Sequence, residues 1–182
     1  MTDSTQSTTP AATPAAAPAA DANPGVIFNF EKIYIKDMSI EIPHAPQIFL
    51  EQEAPALETS LNITADSFAE GMYEIVVTAT ATTRIKDKVV FLVEVAQAGI
   101  FEIRNFPADQ IAPMIEIHCA GVLFPYLRAN VSDVVTRAGF PALLLPTINF
   151  EALYAQRIGQ TGQAQAKGET AGPIAIVTPA AH

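Results

Sequence analysis

The apolar pattern of this chain changes period once. From Phe28 to Ile103 apolar and polar residues alternate, and from Pro107 onward apolar residues recur at spacings of three and four. The first pattern belongs to half-buried strands and the second to helices lying on a core. Strands first and helices last define an α+β domain. The expected fold is a four-stranded antiparallel sheet with two helices packed on one face, which leaves the other face wet.

The strand half divides at its turn residues. In the first strand the apolar parity runs through Phe28 and Phe30, shifts to Ile33 and Ile35, and shifts again to Met38, Ile40 and Ile42. A strand that changes parity without stopping needs a bulge at each shift. Pro43 and Pro46 end it, and a crossover leads to a second strand through Leu57, Leu61 and Ile63. A turn at Ala69-Glu70-Gly71, a Val/Ile/Thr-rich third strand (Tyr73 to Ile85), a tight loop at Lys86-Asp87-Lys88 and a fourth strand to Ile103 complete an antiparallel meander.

In the helical half, Pro107 with Asp109 marks a helix start. Ile111, Ile115, His118, Cys119 and Val122, then Phe124, Leu127, Val131, Val134 and Val135, trace the apolar positions, with Gly121 and Pro125 interrupting. Gly139 is an ordinary C-terminal stop. Asn149 is a good N-cap for a short helix from Phe150 to about Gln160.

Residues 1–25 are Thr, Ser, Ala and Pro with two Asp, and residues from about 161 to 182 are similar apart from the patch Ile174 to Val177. Such segments bury too little to offset their ordering entropy, so both are expected to be disordered tails around a folded unit of about 26–160. The N-terminal residues lack the basic and apolar regions of a secretory signal. No apolar run reaches the roughly 18 residues a membrane span needs. The single cysteine, Cys119, excludes an intrachain disulfide and suits a reducing compartment. A cytoplasmic protein is therefore expected.

The formal charge is −9, with 10 Lys and Arg against 19 Asp and Glu and no basic run. That argues against nucleic acid and against anionic membrane as partners. Phosphate-loop, nucleophile-elbow and paired-His or paired-Cys metal motifs are absent, so neither cofactor nor metal is expected. His118 and Cys119 are adjacent on a helix and point about 100° apart, which favours a core or interface role over a catalytic pair.

Two surfaces stand out. Phe140 to Phe150 reads F-P-A-L-L-L-P-T-I-N-F, an uncharged connection broken by two prolines. A connection this apolar either caps a core or offers a surface that something else covers. On the sheet, Asp37 and Glu41 share the face opposite Met38, Ile40 and Ile42, while Leu92 and Glu94 share one face of the fourth strand. If those faces coincide they form an acidic patch with an apolar anchor. It is either a dock for a basic peptide or an ordinary solvated face. The long helix is apolar on more than one side, as in a helix sunk in its own core or packed against a second subunit.

Four stretches, F-N-F-E-K-I-Y-I-K-D-M-S-I-E-I-P-H-A-P (28–46), F-L-V-E-V-A-Q-A-G-I-F (91–101), V-L-F-P-Y-L-R (122–128) and G-F-P-A-L-L-L-P-T-I-N-F-E-A-L-Y (139–154), resemble in order and spacing the SecB protein-export chaperones. The resemblance implies an ATP-independent, non-enzymatic homotetramer, a dimer of dimers. Such a protein holds precursor proteins unfolded in the cytoplasm and passes them to the translocation ATPase SecA. It implies a SecA-binding role for Asp37, Glu41, Leu92 and Glu94, and a client-binding role for Ile48, Phe49, Leu57, Phe140, Leu143 and Leu145. It also places an oligomer interface on the long helix, at His118, Cys119, Val122 and Leu127. Two alternatives stay open: a SecB-like chaperone that guards an antitoxin, and a small-molecule binder or enzyme using His118 and Cys119.

Overall fold

In the computed structural model, residues 25–165 and 174–176 are described. Four long strands, β1 (Ile27–Glu41), β2 (Ala56–Ala69), β3 (Met72–Ile85) and β4 (Lys88–Arg104), form the expected antiparallel sheet. A three-residue fifth strand, β5 (Ile174–Ile176), extends it, in the order β1-β4-β3-β2-β5. The register of β1 on β4 slips between Phe30 and Lys32 and again between Ile35 and Asp37, at the two parity shifts of the sequence. Each slip brings the next apolar set back to the same face.

Expected disorder in residues 1–25 falls, apart from Gly25, outside the described residues. At the other end α3 (Phe150–Gln165) runs past the expected boundary at 160, and β5 lies inside the segment expected to be a tail.

One long helical rod crosses the sheet: α1 (Ala108–Pro113), a π-helical turn (Met114–Cys119) and α2 (Ala120–Arg137). Pro125 sits inside α2 without ending it. The buried residues of α2, among them Leu123, Leu127, Val131 and Val135, recur every four positions and pack on Ile75, Val77, Val93 and Val95 of the sheet. The rod lies close. A Cβ on Gly99 would come within 2.8 Å of Leu123 Cδ2 and 2.7 Å of the Phe101 ring, so only glycine admits it. Leu123→Ala is expected to remove about 2–5 kcal/mol of stability, measured as a lower denaturant midpoint with an unchanged slope.

Polar groups under the helix are paired. Asn130 Nδ2 donates to Gln97 Oε1 (2.7 Å), and Gln97 Nε2 donates to the Tyr34 carbonyl (2.8 Å), which ties α2, β4 and β1 together. Burying such groups without partners would destabilise the core.

Helix ends follow the sequence signals. At the end of α2 the Phe140 N–H reaches the Val135 carbonyl and the Gly139 N–H reaches that of Thr136, a Schellman arrangement. It requires the left-handed φ of +92° that Gly139 adopts. At the start of α3 the Ala152 N–H donates to Asn149 Oδ1 at 3.0 Å. This helix packs on the rod rather than across the strands: Phe150 meets Phe124 edge-on and Arg157 pairs with Glu116.

Candidate functional site: an acidic sheet face and an apolar crossover surface

The outer sheet face gathers the four acidic-patch residues. Ser39 stands opposite Glu94 and Glu41 opposite Leu92, while Asp37 stands opposite Ala96. Asp37, Ser39, Glu41, Leu92 and Glu94 therefore point away from the helical rod. Directly opposed side chains lie about 5 Å apart and diagonal ones about 7–8 Å. Leu92 and Glu94 thus sit beside Glu41, with Asp37 one diagonal step from Glu94. The Thr80 hydroxyl donates to Glu94 Oε2 at 2.8 Å and fixes that carboxylate. Asp37 and Glu41 are exposed, and Leu92 is half-buried. The arrangement is a flat anionic surface with one aliphatic side chain in it.

The same face holds a group that the sequence did not single out. Tyr34 donates to one Glu74 oxygen and Lys36 Nζ pairs with the other at 2.5 Å. Lys36, and then Tyr34, hold the Glu74 carboxyl below its usual range, while Glu74 pushes the Tyr34 phenol up to about 12. Lys36 became available to Glu74 because it occupies the second bulge, a position that alternation alone does not orient.

The expected client surface divides. Ile48, on a 3₁₀ turn (Gln47–Leu50), and Leu145 are each only 4% exposed and belong to the core. In the single chain neither presents an open surface. The loop has no period, so which of three consecutive leucines turns inward is a packing outcome. Leu57, Phe140 and Leu143 are half-buried against the core, and Phe49 is 49% exposed. The Schellman turn aims Phe140 between Phe49 and Phe91, with ring centroids 5.0 and 4.9 Å away. Two residues the sequence reading passed over are the most exposed apolar ones in this region: Leu50 at 81% and Leu144 at 65%. Leu144 lines a shallow groove with Pro125, Ala129 and Thr136 of α2.

The crossover is clipped in place. Lys86 Nζ donates to Glu53 (2.5 Å) and Lys88 Nζ to Glu51 (2.8 Å), which links it to the β3–β4 turn. Lys88 holds the Glu51 carboxyl below its usual range. These exposed pairs set position more than stability.

On the rod, Cys119 and Leu127 have no exposed surface in the single chain. They point into their own core, on the same stripe of every fourth residue as Leu123 and Val131. His118 and Val122 are exposed, as is Tyr126 one turn further on. Along β1, Phe28, Phe30, Ile35 and Met38 are exposed apolar side chains, and Phe28 and Phe30 lean on the Phe101 ring. Burial pushes the Cys119 thiol up to about 12. A small thiol reagent at pH 8 is therefore expected to leave Cys119 unmodified in the native protein and to label it fully once unfolded. Rapid native labelling would contradict this packing.

Relatives now bear on this geometry. A sequence model of the family described as "Preprotein translocase subunit SecB" matches residues 21–161, well over half of the chain. The chain belongs to the SecB family. The protein-export protein SecB of Cupriavidus taiwanensis is 52% identical over 152 residues, covering 84% of this chain and 88% of that one. The SecB of Paraburkholderia xenovorans is 53% identical over 143 residues, covering 79% and 92%. Among solved structures, a Mycobacterium tuberculosis SecB-like chaperone in complex with a ChAD peptide from the HigA1 antitoxin matches with a TM-score of 0.56. It is 13% identical and covers 66% of this chain and 90% of that one, a likeness of fold. No described helix is long and apolar enough to cross a membrane.

Proposed function

We propose that this SecB-family chain is an ATP-independent holdase: it keeps precursor proteins unfolded in the cytoplasm and delivers them to SecA. The observation that carries the reading is the apolar surface left open around the crossover and the adjoining loop, at Phe49, Leu50 and Leu144. Every unfolded chain exposes apolar side chains, so a surface of this kind binds without regard to sequence. Each apolar side chain buried contributes about 1.5–3 kcal/mol. Fixing a client residue costs about 1–2 kcal/mol. A single short site is therefore weak. Several copies acting on one client supply the affinity by avidity.

A homotetramer provides those copies. Support comes from the uncovered apolar side chains of β1 and the exposed His118, Val122 and Tyr126 stripe. The acidic face is assigned to SecA through Asp37, Glu41, Leu92 and Glu94, because release without nucleotide chemistry in this chain needs a partner with its own energy source. An export role is favoured over antitoxin guarding because the relatives near 52% identity are export proteins, whereas the antitoxin-bound one shares only the fold. A pair built from His118 and Cys119 is disfavoured, since one side chain meets solvent and the other the core.

Calorimetric titration tests the reading with reduced, alkylated ribonuclease, which stays unfolded, against native ribonuclease. Binding of the unfolded form alone is expected. Equal binding, or none, would overturn it.

A further inference from the structure

The C-terminal strand β5 lies antiparallel on the outer edge of β2, with Thr59 opposite Ile176, Ser60 opposite Ala175 and Leu61 opposite Ile174. Without it, β2 would be the edge of the sheet. β2 spans 14 residues and β5 pairs with three of them. A strand edge presents a row of N–H and C=O groups that any extended polypeptide can satisfy through its backbone, whatever its side chains. That is the recognition a holdase needs. Leu57, two residues before the paired stretch, belongs to the apolar region that borders the crossover. A client chain leaving that region along β2 would meet the same backbone groups that the tail now engages.

We infer that residues 174–176 are an internal competitor for this edge, docked in the empty chaperone and displaced by the extended backbone of an unfolded client. The inference rests on the holdase reading above. A pairing of three residues is marginal by itself, so the tail is displaceable. Eight residues separate it from α3, a reach of about 27 Å at full extension. While docked, the tail also denies a sticky edge to other copies of the chain.

The test compares three forms of the full protein: unaltered, truncated after residue 170, and Ile174→Pro with Ala175→Pro. Successive N–H groups of a strand point to opposite sides, so the double substitution removes whichever of the two faces β2. Affinity for reduced, alkylated ribonuclease scales with the fraction of open edge. Both altered forms are expected to bind it roughly 2- to 10-fold more tightly, and those amides of residues 59–61 that face β5 rather than β3 to exchange faster in them until the probe is added. Unchanged affinity and unchanged exchange in both would overturn the inference while leaving the holdase reading intact. If no form binds the probe, the holdase reading falls and the inference falls with it.

Discussion

Leu92→Arg combined with Glu94→Lys is expected to weaken SecA binding by roughly ten- to a hundredfold while the fold and client holding persist. Leu92 is the aliphatic element of a flat anionic face, and its burial on docking would contribute about 1.5–3 kcal/mol. A tenfold change in affinity corresponds to about 1.4 kcal/mol. Reversing Glu94 also turns attraction for a basic partner into repulsion. The fold tolerates both changes because the side chains point away from the helical rod, and a long Arg or Lys stem can lie along the sheet. Thr80 loses its acceptor, a small loss at a half-buried site. Calorimetry against SecA reads the outcome. Equal affinity for the variant and the parent would remove the acidic face from the account.

The second large effect concerns clients. Phe49→Ser with Leu144→Ser is expected to weaken holding of an unfolded precursor at least about tenfold, since each apolar side chain withdrawn removes about 1.5–3 kcal/mol per engaged site. Leu144 is mostly open to solvent and Phe49 is about half covered, so stability should fall by the lost stacking of Phe49 on Phe140, about 0.5–1.5 kcal/mol, together with the apolar contact of its covered half. Leu144→Ser alone leaves that stacking intact. Leu145→Ser behaves differently: it places a hydroxyl and a void in the core, destabilises by about 2–5 kcal/mol, and would confuse lost folding with lost binding. Unchanged holding by the double variant would show that clients bind elsewhere.

These contrasts show which parts of the molecule were legible in the sequence. Periodic and stereochemical signals carried over well. The parity shifts after Phe30 and Ile35 became the two bulges, Gly139 became the left-handed cap, and Asn149 became an N-cap, because each rests on local backbone geometry. The common face of Asp37, Glu41, Leu92 and Glu94 also followed, since alternation fixes orientation once the strands pair. What did not follow needed long-range packing. Leu145 went inward and Leu144 outward on a loop without a period. Cys119 and Leu127 proved to be core because the sheet covers their stripe, while Val122 and Tyr126 kept the open side. β5 was missed because Ile174-Ala175-Ile176 is too short to read as a strand until an edge is available to receive it.

The central claim is that an unfolded chain is held by surface alone, without nucleotide. This chain has no tryptophan, so the tryptophan fluorescence of a client reports the client only. A denatured, slow-folding precursor containing tryptophan is diluted into buffer without ATP, with and without a molar excess of the protein. The account predicts that the excess slows refolding and holds a large part of the precursor in its unfolded emission state. Refolding at the same rate and to the same amplitude in both samples would contradict it.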